Sequence, residues 1–178
     1  MLITAALLAI TQAAAPAAPK ALGNERWECM AVEISSPPFK KPRDRVFSAT
    51  RILDLQLDAM LRRTYVGPHT LHLKLFTPRG HLYQVLTVPF TSSAKAADGS
   101  APTPAPKRWV EGYPQPLEEK ALRSVTHEGE TAYQVTATLP VAGTSIMTNS
   151  LYGEWKVEPY LDQQAAPCGD VRSFVINP

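Results

Sequence analysis

A chain of 178 residues is long enough for one domain with a tail and too short for two enzyme-sized domains. Its 18 Lys and Arg against 16 Asp and Glu leave a formal net charge of +2, which excludes the strongly basic footprint of a nucleic-acid binder. Proline, at 17 residues, is about twice its ordinary share, while 44% of positions are hydrophobic. A core is therefore available, but long helices are not expected to dominate.

The first 18 residues read as a signal peptide or a flexible N-terminal tail. Leu2 to Ile10 is an apolar run of signal length, followed by the small-residue stretch Thr11 to Pro19, with cuts after Ala13 or Ala17 fitting a signal peptidase. No Lys or Arg precedes the run, so only the terminal amine supplies positive charge. The run is too short to span a bilayer, and no later segment is apolar enough to do so. The expected product is exported, periplasmic or extracellular, with no integral membrane segment in the mature chain. Residues 19–27 read as a linker and 28–178 as the folded domain.

Cys29 opens an alternating stretch, Met30, Val32 and Ile34 against Ala31 and Glu33, that stops at Ser35-Ser-Pro-Pro38. The basic run Lys40 to Arg45 follows. Leu53, Leu55 and Leu57 then alternate with Asp54, Gln56 and Asp58, which predicts a strand with both aspartates on the exposed face. Helical spacing of Leu53, Leu57, Met60 and Leu61 is the rival reading. Thr70 to Phe90 predicts a hairpin around a type I turn at Thr77-Pro78-Arg79-Gly80. In that register Phe76 faces His81, Leu75 faces Leu82, Leu73 faces Gln84 and Leu71 faces Leu86. His72, Lys74, Phe76, His81 and Tyr83 then point outward.

Residues 91–131 break the rhythm. Six prolines lie between Pro89 and Pro116, and so long a connection is usually functional or disordered. Trp109 and Tyr113 lie in its second half. Beyond it, Tyr133 to Leu139, Trp155 to Leu161 and Val171 to Ile176 alternate again. Seven short strands, no convincing helix and Pro or Gly at nearly every junction predict an all-β fold, an antiparallel sandwich with a long Pro-rich insertion. Cys29 and Cys168, one near each end of the mature chain, read as a disulfide in an oxidising compartment, with two unpaired buried thiols as the alternative.

The Thr77-Pro78-Arg79-Gly80 turn, Leu139-Pro-Val-Ala-Gly143, Leu151-Tyr-Gly-Glu-Trp155-Lys-Val157, Tyr160-Leu-Asp162 and Phe174-Val-Ile176 resemble secreted bacterial immunoglobulin-like or fibronectin-III-like domains over roughly residues 28 to 178. The resemblance implies an immunoglobulin-like β-sandwich, a core position for Trp155, and a first strand beside the last, so that a Cys29–Cys168 bridge staples the termini. It carries no shared catalytic residues. Pro159 departs from the usual pattern and implies a strand paired on one side only near its end, or broken there.

Chemical motifs are sparse. The four histidines, His69, His72, His81 and His127, read as surface residues, and no zinc, triad or phosphate-loop pattern occurs. Glu118-Glu119 and Glu128/Glu130 read as solvated carboxylates, and Asp162 with Asp170 lacks a calcium-loop pattern. Catalytic residues, metal and cofactors are not expected. The aromatics Phe76, Tyr83, Trp109 and Tyr113 form the candidate binding patch, with simple coverage of the hairpin's outer face as the equal alternative. The expected role is a non-catalytic exported module that binds a protein in the cell envelope or at the surface. A carbohydrate-binding or enzyme-associated domain is the alternative, with a glycan as partner.

Overall fold

The structure is a computed structural model that describes residues 29–37, 45–62, 67–92 and 106–178. The expected signal segment, linker and most of the Lys40 to Arg45 run lie outside the described residues. The chain order is β1 (Cys29–Ser35), β2 (Val46–Ser48), β3 (Asp54–Leu61), β4 (Gly67–Phe76), β5 (Leu82–Ser92), β6 (Arg123–His127), β7 (Glu130–Pro140), α1 (Ser145–Thr148), β8 (Gly153–Leu161) and β9 (Arg172–Asn177). One sheet has the order β1-β3-β7-β6 and the other β2-β9-β8-β4-β5. The two pack face to face as an all-β sandwich, because alternation gives each central strand one largely apolar face. Leu55 and Leu57 of β3, Leu71, Leu73 and Leu75 of β4, Val135 and Leu139 of β7, and Trp155 and Val157 of β8 meet in one core. Trp155 is its largest member, with Phe174 stacked at 6.2 Å and Tyr83 edge-on at 5.1 Å. Its Nε1–H donates to the Leu151 carbonyl at 2.9 Å, so the indole is buried without an orphaned donor.

The seven expected strands are present, and two more accompany them. β2 has three residues and lies parallel to β9, while β6 forms a hairpin with β7. Glu128 and Gly129 both have positive φ, 51° and 84°, which closes that hairpin as a two-residue type I′ turn. The interval 91–131 is thus not one connection: its start ends β5 and its last third is β6 and its turn. The four-residue α1 was not expected. Thr144 caps it, its Oγ1 accepting from Ile146 N at 3.3 Å.

Four expectations need correction. The 53–61 segment is a strand, paired with β1 and β7 on its two sides, but Leu53 precedes it and is 80% exposed. Asp58 is buried rather than solvated, at 6% exposure. Gln56 Nε2 donates to both its carboxylate oxygens and Thr136 Oγ1 donates to Oδ1 at 2.6 Å, which replaces the lost water.

The hairpin register also shifts. Thr77 N donates to the His81 carbonyl and Gly80 N to the Thr77 carbonyl, so Pro78 to Gly80 is a three-residue loop with Gly80 at φ 80°. Phe76 therefore faces Leu82. A second irregularity next to it puts Leu75 opposite Gln84, Leu73 opposite Leu86 and Leu71 opposite Val88. The net slip of two keeps the apolar face of β4 intact, but Tyr83 turns in to Trp155 and Leu82 turns out. Finally, the first strand does not lie beside the last. β1 pairs with β3 in the other sheet, and β2 takes the parallel place beside β9.

Candidate functional site

The 106–122 segment builds the site. Between Arg108 and Leu117 the backbone closes on itself with two reciprocal 2.8 Å hydrogen bonds. Inside that loop Tyr113 N donates to the Val110 carbonyl, and Gly112 at φ 84° makes the turn type II, a conformation that favours glycine. The segment is fastened to β5, an edge strand. Lys120 N donates to the Pro89 carbonyl at 2.9 Å, Thr91 Oγ1 donates to the buried Glu119 carboxylate, and Leu122 enters the core. Arg108 reaches over the end of the sheet, donating to the carbonyls of His69 and Phe90 and to Thr70 Oγ1. Burial lowers the Arg108 pKa from its ordinary value, and Glu119 and Asp162 oppose that shift. Gln163 Nε2 and Glu111 Oε2, 3.2 Å apart, tie the strap to the β8–β9 connection.

Beneath the strap lies the outer face of the five-stranded sheet. Alternation places His72, Lys74 and Phe76 of β4 there, opposite Thr87 and Val85 of β5 and Tyr160, Glu158 and Lys156 of β8. Lys74 Nζ sits 3.8 Å over the Tyr160 ring, and the Tyr160 hydroxyl donates to Glu158 at 3.0 Å. Tyr113 of the strap donates to Thr87 Oγ1 at 2.6 Å, and the same hydroxyl meets His72 Nδ1 at 2.9 Å. The Thr87 hydroxyl thus joins the strap's phenol to the His72 ring, and its hydrogen and second lone pair allow it either to donate to Nδ1 or to accept from it. Burial lowers the His72 pKa below 6.5; Asp162 pulls it up and Lys74 pushes it down.

The predicted aromatic patch divides. Phe76 and Tyr113 share this outer face, Tyr83 belongs to the core, and Trp109 stands out from the strap at 70% exposure. Coverage and display thus both occur, on different residues. Of the histidines, only His81 is an exposed residue. His69 is buried on the inner face of β4, where its ring meets Phe90 at 5.6 Å and Nδ1 donates to Asp162 Oδ2 at 2.9 Å. Asp162 Oδ1 also accepts from Thr70 N at 2.8 Å. That explains a non-glycine residue at φ 50°: two hydrogen bonds hold it there. His127 is mostly buried and lies 3.2 Å from Glu33. Glu118 is solvated and pairs with Lys120, whereas Glu119 is buried. Among the described residues no group of three or more His, Cys, Asp or Glu converges as a metal site. Sequence reasoning missed Arg108, Thr87 and the His69–Asp162 pair. Their partners lie far away in sequence, and only the strictly alternating place of His69 on the apolar face of β4 signalled one of them.

Cys29 and Cys168 form a disulfide between the start of β1 and the β8–β9 connection. Cys29 N donates to the Cys168 carbonyl and Cys168 N to that of Pro159. Pro159 pairs with β4 but lies past the last β8–β9 pair, the one-sided pairing expected of it. A disulfide fits an exported protein, and no helix among the described residues is long and apolar enough to cross a membrane.

No protein-family model matches the chain, and no curated protein matches it. Among solved structures it is similar to a protein of Bacteroides fragilis described as a candidate beta-galactosidase, at 12% identity and a TM-score of 0.35. The similarity covers 80% of this chain and 15% of that one.

Proposed function

We propose that this chain is an exported, non-catalytic immunoglobulin-like module that binds a protein partner in the cell envelope or at the surface through the strap and the outer face beneath it. The strand orders support the immunoglobulin-like part. β1-β3-β7-β6 corresponds to the A-B-E-D sheet of such domains, and β9-β8-β4-β5 to G-F-C with an added C′. The observation that carries the binding part is Trp109. It is a large indole, 70% exposed, on a strap held by side-chain and backbone hydrogen bonds, so little ordering entropy remains to be lost on binding. Tryptophan in such a setting is a preferred anchor of protein interfaces.

A photo-crosslinking residue at position 107, exposed on the strap beside an intact Trp109, in protein expressed in exporting cells, tests this. The expected result is one discrete protein adduct that is missing when the same residue replaces Gln134 on the opposite sheet. Equal adduct patterns at both positions overturn the reading. Binding to a glycan array that Trp109→Ala abolishes, with no protein adduct, replaces the protein partner by a sugar.

A further inference from the structure

We infer that two copies of this chain associate face to face through the part of the five-stranded sheet's outer face that the strap leaves open, about a two-fold axis that crosses β8, β4 and β5 at right angles. The inference concerns the hairpin end of that face and stands without the partner proposed above.

The surface consists of two neighbouring rows. One reads Lys156, Phe76, Leu82 across β8, β4 and β5, and the next reads Glu158, Lys74, Val85. Leu82 is 54% exposed, and Phe76 and Val85 are partly exposed, so an apolar strip lies uncovered beside the charges. The irregularity next to Phe76 is what turns Leu82 out; strict alternation would have kept it inside in place of Tyr83. Bulges re-aim side chains in this way, and here the result is a leucine beside Phe76 on the solvent side.

Within one copy the charges of these rows are not paired with each other. Lys74 turns its ammonium over the Tyr160 ring instead of toward Glu158, its partner across the strands. Glu158 takes the Tyr160 hydroxyl on Oε2, which leaves Oε1 for a further donor. Lys156 is exposed, with Phe76 and Ser173 as its cross-strand neighbours, and it makes no ion pair among the described residues.

A two-fold axis lying between the two rows sets each row on the other row of the second copy. Glu158 then meets Lys156 of the second copy and Val85 meets its Leu82. The methylene stem of Lys74, whose ammonium is already drawn to Tyr160, meets the Phe76 ring of the second copy. Each contact occurs twice, and within these rows no like charges come together. The strap excludes a two-fold along the strands, which would bring both straps to the same end of the interface. The overlap of about four strands by four rows is roughly 400–500 Å² per copy at ordinary strand spacings. That is little more than half of the roughly 800 Å² of a standard stable interface, which makes the dimer a weak one.

Sedimentation velocity of the disulfide-bonded protein from about 10 μM to 1 mM, the range in which a small interface associates, supplies the experiment. The expected result is a monomer at the low end and a growing dimer share at the high end. Lys156→Glu and Glu158→Lys should each weaken association by about tenfold or more, because each sets like charges together at both ion pairs. An equimolar mixture of the two variants should associate again, since two carboxylates of one copy then meet two ammoniums of the other. A wild type that stays monomeric at the highest concentration overturns the dimer. Single variants that associate like the wild type, or a mixture that stays as monomeric as its components, overturn it too. None of these outcomes bears on the adduct sought from position 107.

Discussion

Opening the Cys29–Cys168 bridge should cost more stability than any other single covalent change in the domain. The cysteines are 139 residues apart, and the chain-entropy relation for a loop of that size gives about 5 kcal/mol at 25 °C. This is an upper figure, because a real denatured chain is more compact than an ideal one. Removing both sulfurs with Cys29→Ala and Cys168→Ala adds a packing loss of about 1 kcal/mol, since Cys29 is buried. Reduced wild-type protein keeps the sulfurs and isolates the chain-entropy part. At about 2–4 °C per kcal/mol for a domain of this size, the expected fall in Tm is roughly 10–20 °C. Urea unfolding followed by far-UV circular dichroism is the assay, with and without reductant. The midpoint should drop by about 2 M at a typical slope, and the slope should rise because the freed chain exposes more surface. A stability extrapolated to water that is unchanged within its roughly 10–15% error, with both thiols shown by alkylation to be free, would refute the reasoning.

Two further changes test the same region. Gly169→Ala should destabilise by about 1–3 kcal/mol, measured as a fall in the urea midpoint, because an added Cβ would overlap the Cys29 carbonyl and lie 2.9 Å from Cys29 Cβ; a wild-type midpoint would show that β1 gives way freely. Asp162→Ala should cost about 1–3 kcal/mol by stripping Thr70 N and His69 of their acceptor. Asp162→Gly should lose less in the same assay, because φ 50° costs an alanine about 1–2 kcal/mol and a glycine almost nothing.

The long strands were legible because period-two alternation is a direct image of one buried face. Leu71, Leu73 and Leu75, or Val135, Ala137 and Leu139, can satisfy the core in no other local geometry of that length. What alternation does not encode is the pairing between strands. Tyr83 stands at an odd place in β5 and was assigned outward on parity, but one extra residue beside Phe76 turned it in to Trp155. Apart from Leu82, which turns out as Tyr83 turns in, a two-residue slip conserves parity along the strand, so the hydrophobic pattern does not report it. Short edge strands were hidden for a different reason. β6 has one apolar residue, Val125, to bury, and its turn is Glu128-Gly129 rather than a strong Asn-Gly signal. β2, with Val46, Phe47 and Ser48, is too short to show any period.

The site was less legible because it is assembled from non-local polar contacts. The insertion was recognised as the unusual part of the chain, by its prolines, and Trp109 was identified as a residue that could be displayed. The means of display were not visible. Edge strands invite pairing with another chain, and β5 is an edge that contains Pro89, which has no N–H to offer. The strap covers the edge from the acceptor side: Lys120 N takes the Pro89 carbonyl, and Arg108 takes that of Phe90 and also that of His69 on the neighbouring β4. One isolated bridge, Lys120 to Phe90, and a guanidinium protect these carbonyls without continuing the ladder as a sixth strand would. A full strand would open only with the sheet, whereas single bridges can open one at a time.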